Sequence, residues 1–91
     1  MILVTTYKLK PFLGKEETSE LLDVFAKAGA GPGVTAHYVA TDGSQGVVIS
    51  ETDDLAGGYR NILNYTQWVE YDTKAMLSIE EAVPLIVDSL A

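Results

Sequence analysis

The run from Val34 to Asp54, Val-Thr-Ala-His-Tyr-Val-Ala-Thr-Asp-Gly-Ser-Gln-Gly-Val-Val-Ile-Ser-Glu-Thr-Asp-Asp, constrains the fold more than any other segment of this chain. Two stretches rich in β-branched and aromatic residues flank Asp42-Gly43-Ser44-Gln45, and an Asp-Gly pair readily takes up the left-handed backbone that a tight hairpin turn requires. Paired antiparallel strands are therefore expected from Val34 to Thr41 and from Gly46 to Thr52. Thr52, Asp53 and Asp54 each offer an oxygen to cap the helix that follows, which should run to about Tyr65 with Leu55, Tyr59 and Ile62 on one stripe. Gly57 and Gly58 weaken that helix by about 0.5–1 kcal/mol each relative to alanine.

The remaining elements follow from periodicity. Ile2 to Leu9 reads as a first strand, stopped by Lys10-Pro11. From Lys15 to Ala28 the apolar residues Leu21, Leu22, Phe25 and Ala28 recur at helical spacing, and Gly29 closes the helix. Trp68 to Leu77 alternates, with Val69, Tyr71, Thr73, Ala75 and Leu77 on one face and Trp68, Glu70, Asp72, Lys74 and Met76 on the other. Ser78 and Glu81 have the spacing of a capping box and open a last helix with Val83, Ile86, Val87 and Leu90 on its apolar side, which Pro84, past the first turn, should kink or weaken. The order β-α-β-β-α-β plus a C-terminal helix is that of a single ferredoxin-like α+β domain over residues 1–91, with a four-stranded antiparallel sheet and both main helices on one face.

That arrangement leaves one sheet face bare, and composition says what should cover it. The chain is 47% apolar or aromatic by residue while carrying 13 acidic groups, and a domain this short cannot bury that much apolar material in one core. A second copy packed face to face, forming a dimeric α+β barrel, is the expected solution. No apolar run reaches the roughly 18 residues of a membrane span. The net charge of −7, with 6 scattered basic residues, supplies no stripe to neutralise phosphates, so nucleic acid and anionic membranes are not expected partners. With no cysteine there is no disulfide, thiol nucleophile or thiolate metal site, and without a charged leader before an apolar core the expected compartment is the cytoplasm.

Gly33-Val34-Thr35, Asp42-Gly43-Ser44 followed by Gly46, Glu51-Thr52-Asp53-Asp54, Trp68-Val69-Glu70-Tyr71 and Ile79-Glu80-Glu81-Ala82 together resemble the pattern of a family of short bacterial proteins of unknown function. The resemblance covers nearly the whole chain and implies a dimeric α+β barrel, with no activity attached. Members of that family commonly carry a Trp-His pair shortly before the turn. Here Tyr38 and Val39 stand in those places and the histidine is displaced to His37.

His37, the only histidine, is the first candidate for acid-base chemistry, since histidine is the side-chain type that titrates near neutrality. Whether Glu51 partners it depends on register. A four-residue loop from Asp42 to Gln45 sets His37 opposite Ser50, with Glu51 on the other face, whereas a five-residue loop from Thr41 sets His37 opposite Ile49 and brings Glu51 to its face. A half-exposed structural histidine is the alternative reading. Asp72 is a second possible orienter for His37. Tyr38, Trp68 and Glu70 are candidate walls of a ligand site, although edge strands also carry charges such as Glu70, Asp72 and Lys74 merely to prevent further pairing. Asp53-Asp54 lacks the ligand alternation of a calcium loop and is read as a helix cap, and the glycines Gly29, Gly31 and Gly33 follow a helix rather than precede one, so no phosphate loop is expected. The expectation is a small homodimer without cofactor or metal, serving as a ligand-binding or interaction module. The alternative is a cofactor-independent oxygenase or isomerase acting on a small apolar or aromatic substrate.

Overall fold

A computed structural model describes all 91 residues. The elements are β1 (Ile2–Leu9), α1 (Lys15–Ala28), β2 (Val34–Val39), β3 (Gly46–Glu51), α2 (Leu55–Ile62), β4 (Val69–Met76) and α3 (Ile79–Ser89). The strands form one antiparallel sheet in the order β2-β3-β1-β4, which is the ferredoxin-like arrangement. Residues alternate between two faces. Leu3, Thr5, Tyr7 and Leu9 of β1 share a face with Val48 and Ser50 of β3, His37 of β2, and Val69, Tyr71 and Thr73 of β4. Both α1 and α2 lie over that face, since Leu21 and Val24 of α1, like Tyr7 and Tyr71, pack against the buried cluster of Tyr65, Trp68 and Val69, while Leu55, Tyr59 and Ile62 of α2 line the same cleft as the strands.

The hairpin between β2 and β3 is shorter on its first arm than the residue pattern implies. Val39 faces Gly46, the Ala40 amide donates to the Gln45 carbonyl, and four residues, Thr41 to Ser44, make the turn. Gly43 sits at φ 73° and the Gly43 amide donates to the Ala40 carbonyl, while the Asp42 carboxylate accepts from the Ser44 amide. These local bonds close the turn one residue earlier than a loop from Asp42 would, so Thr41 belongs to the turn. Hydrogen bonds from the Ser44 hydroxyl and then the Ser44 amide hold the Asp42 carboxyl below its usual range.

Other boundaries differ from expectation, β3 ending at Glu51 rather than Thr52 and β4 running from Val69 to Met76 rather than from Trp68 to Leu77. Helix α2 ends at Ile62 rather than near Tyr65; the chain then turns so that the Tyr65 hydroxyl reaches the Gly29 carbonyl and ties the end of α2 to the end of α1. Helix α3 runs unbroken through Pro84, opened by reciprocal bonds between Ser78 and Glu81. It extends away from the domain, and the molecule measures 57 Å in its longest dimension against 27 and 18 Å in the others. No residue of α3 is buried, and Ile79, Leu85, Ile86, Val87 and Leu90 are all exposed. Only 6 of 91 residues are buried in the isolated chain, so the fold as a monomer leaves most of its apolar side chains at least partly in water. No helix is long and apolar enough to cross a membrane.

Candidate functional site

Between the two helices and the sheet the packing is incomplete. A cleft of about 680 Å³ remains there, roofed by Leu21, Leu22 and Phe25 of α1 and by Leu55, Tyr59 and Ile62 of α2. Its floor is the sheet face that carries Tyr7, His37, Val48, Ser50, Val69 and Tyr71. Most of the lining is apolar, and no Asp, Glu, Lys or Arg contributes to it.

The polar focus of the floor is a contact between two strands that are not neighbours. Tyr7 on β1 pairs with Gly46 on β3, and Gly46 pairs with Val39 on β2. Because Gly46 has no side chain, the Tyr7 ring lies directly over β3: a Cβ built there would stand 2.6 Å from Tyr7 Cε1 and closer still to Cζ and Oη. The phenol thus spans β3 and places its Oη 2.6 Å from His37 Nε2. Tyr7 and Phe25 meet the imidazole edge-on at centroid distances of 5.6 and 5.8 Å, which fixes the ring plane from the strand side and from the helix side. Tyr71, opposite Tyr7 on the other flank, and Tyr65 add two more phenols. Burial pushes the phenol pKa of Tyr7, Tyr65 and Tyr71 upward, most strongly for Tyr71, where the neighbouring phenols Tyr65 and Tyr7 add to it.

The structure separates residues that the sequence pattern had grouped. His37 faces Val48, so neither anticipated register is the observed one. The consequence for Glu51 is that of the four-residue loop, because Glu51 projects from the open face and is exposed. No His37–Glu51 pair exists, the turn having closed early. Asp72 and Glu70 also lie on the open face, opposite Thr6 and Lys8, with the sheet between them and His37. Asp72 is bound instead to Lys74 at 2.6 Å, both side chains exposed. Tyr38 points away from the cleft and is 64% exposed. Trp68 does not wall the cleft: it precedes β4 in the turn begun at Tyr65, is rolled out of the strand alternation, and lies buried against Tyr65 and Val69 with its indole N–H unpartnered. No group of three or more potential metal ligands converges anywhere.

Of the candidate residues, only His37 is in the cleft. Its partner Tyr7 belongs to no motif and lies within the first strand. The signal was present in the residues, since Tyr7 stands at the same strand parity as Tyr71 and faces a glycine, but cross-strand pairing between β1 and β3 links positions some 40 residues apart and cannot be read from local spacing.

A family described as a domain of unknown function, DUF3303, matches residues 1–90. The chain belongs to that family. No curated protein matches it.

Proposed function

We propose that this chain is a ligand-binding module, and that the cleft between helices and sheet is where it holds a small, mostly apolar molecule. The observation that carries this reading is the cleft itself. Its volume of about 680 Å³ falls within the roughly 300–1,000 Å³ of small-molecule sites, and such sites combine apolar walls with a few convergent polar groups. Here those groups are Tyr7 and His37. Nuclear magnetic resonance with 2-naphthol and indole as probes tests it. Amide shifts should cluster on β1, β2 and the cleft-facing turns of α1 and α2. Shifts confined to the open face, or none at millimolar probe, would rule the reading out.

One observation favours a second reading, a cofactor-independent enzyme of the oxygenase or isomerase kind. The short Tyr7–His37 contact at the cleft floor is the geometry of a base held by a second proton-carrying group. In that reading Tyr7 takes the orienting role that Glu51 and Asp72 are too remote to fill.

We also propose that the working unit is a homodimer. A folded chain of 9.8 kDa should expose about 5,200 Å², yet this one exposes 6640 Å². The excess of roughly 1,400 Å² resembles the share that each protomer of an obligate dimer buries. The surface that needs covering is the apolar centre of the open face, with Ile2, Val4, Val47 and Ile49, together with α3. An 11-residue helix in water is marginal even without a proline, so α3 requires a surface to lie on. Sedimentation velocity at micromolar concentration should show a species of twice the chain mass, and Ile86→Glu should shift it toward monomer. A monomeric wild-type chain would end this part of the reading.

A further inference from the structure

We propose that the molecule held in the cleft carries a weakly acidic hydroxyl, a phenol or an enol, and that His37 takes up its proton through Tyr7. The inference rests on the cleft being the ligand site and concerns what that site selects.

The first step is the absence of charge. The chain has 19 Asp, Glu, Lys and Arg side chains taken together, and none of them lines the cleft. A phosphate or carboxylate ligand would lose its hydration there with no guanidinium or ammonium to replace it, and a cationic ligand would find no carboxylate. The site therefore favours a molecule that enters neutral.

The second step is proton inventory. The titratable groups facing His37 are Tyr7 from β1, Tyr71 from β4, Tyr59 from α2 and Tyr65 after it, while α1 and β3 present only Phe25, leucines, Thr18, Val48 and Ser50. Tyr65 already gives its proton to the Gly29 carbonyl, and Tyr59 is exposed. His37 is thus the one side chain lining the cleft that carries a basic ring nitrogen.

The third step is geometry. With Tyr7 Oη 2.6 Å from His37 Nε2, a ligand hydroxyl placed on Tyr7 completes a chain from ligand O–H to Tyr7 O–H to imidazole. The ligand O–H bond breaks as its proton passes to Tyr7 Oη, and the Tyr7 O–H bond breaks as that proton passes to His37 Nε2. The products are a ligand oxyanion, a neutral Tyr7 donating a hydrogen bond to it, and an imidazolium. No net charge enters the cleft and nothing is oxidised or reduced. Burial, which resists ionisation of Tyr7, keeps the tyrosine a phenol at the end of the relay.

The test uses 4-nitrophenol, whose neutral and ionised forms absorb at different wavelengths, with 4-nitroanisole as the analogue lacking the hydroxyl. Bound 4-nitrophenol should ionise at least 10-fold more readily than free probe, a shift of one pH unit or more in its absorbance titration. His37→Gln should still bind the neutral probe but abolish the shift, and Tyr7→Phe should reduce it, while binding of 4-nitroanisole should be nearly insensitive to His37→Gln. Probe bound in neutral form by the wild-type protein, or ionised equally well in His37→Gln, overturns the proposal while leaving the cleft as a ligand site. Failure of both compounds to bind removes the cleft reading and this inference with it.

Discussion

Replacing Gly46 by alanine should separate Tyr7 from His37 without touching either residue. The backbone at Gly46 is not in the left-handed region, so alanine is conformationally acceptable there and should recover about 0.5–1 kcal/mol from reduced freedom of the unfolded chain. Against this, the new methyl would overlap the Tyr7 ring, with Cε1 only 2.6 Å away, and the ring must move by about an ångström to reach ordinary van der Waals contact. Forced repacking of this kind costs about 1–3 kcal/mol, and the lost Tyr7–His37 hydrogen bond about 0.5–1.5 kcal/mol more. The net expectation is a loss of about 0.5–4 kcal/mol, which for a chain of this length lowers Tm by roughly 2–30 °C. Urea unfolding followed by the fluorescence of the single tryptophan, Trp68, measures it, at fixed protein concentration so that the proposed self-association adds equally to every variant's apparent stability. The control is a double-mutant cycle with Tyr7→Ala: once the ring is gone, alanine at 46 should be neutral or mildly stabilising. If Gly46→Ala were as stable as the wild type and the His37 ring resonances did not shift, the placement of Tyr7 across β3 would be refuted.

Trp68→Phe should change stability by no more than about 1 kcal/mol, because the smaller ring leaves a gap but also removes an indole N–H that is buried without a partner, whereas Trp68→Ala should cost about 3–5 kcal/mol; both are read from urea midpoints by circular dichroism. The folded chain holds the phenol protons of Tyr7, Tyr65 and Tyr71 more tightly than the unfolded chain does. Above the unfolded tyrosine value of about 10 the unfolded state therefore binds fewer protons, so stability should be unaffected by these groups below pH 9 and decline above pH 10, a window set by urea midpoints against pH. Phe12 is fully exposed, 100%, at φ 69°, and Phe12→Gly should stabilise the fold by about 1 kcal/mol by removing the cost of a left-handed phenylalanine; an unchanged urea midpoint would count against strain at that position.

The elements themselves were legible in the residues. The bounds of β1 and α1 match expectation at both ends, since a proline and a glycine punctuate segments with clear periods of 2 and 3.6. The topology was legible too, because short connections and a split βαβ order leave few alternatives. What could not be read was the register of β2 on β3. It turned on which residue first bonds across the turn, a contest between Thr41 extending the ladder and the Ala40-to-Gly43 turn closing early, decided by bonds of about 1 kcal/mol each. A slip of one position moves every side chain to the other face, and on it hung whether His37 met Glu51 or Tyr7. The pairing of Trp68 with Glu70 and Asp72 failed for a related reason: alternation holds only inside a strand, and Trp68 lies one residue outside β4.

The sheet divides the chain's chemistry in two. On the open side β4 presents Glu70, Asp72 and Lys74, facing Lys8 and Thr6 of β1, while the apolar centre of that face lies on β1 and β3. A twofold dimer that buries the centre can leave this charged edge at its rim, where opposite charges set orientation at little desolvation cost. On the helix side nothing charged enters, and the polar side chains that meet across strands on the cleft floor are Tyr7 with His37 and Thr5 with Thr73. An acidic protein whose cleft is lined by no Lys or Arg repels anions at its surface and offers them no permanent counter-charge within, so both factors select against anionic metabolites and toward neutral ones. The −7 net charge, which argues against nucleic acid and anionic membranes as partners, thus also acts as a filter on what reaches His37. If it does, raising ionic strength should speed association of an anionic probe such as 4-nitrobenzoate by screening that surface, without making its equilibrium binding competitive with that of neutral 4-nitrophenol. Stopped-flow association rates and equilibrium titrations at low and high salt distinguish the two effects, and tight binding of 4-nitrobenzoate at high salt would show that the cleft does not discriminate by charge.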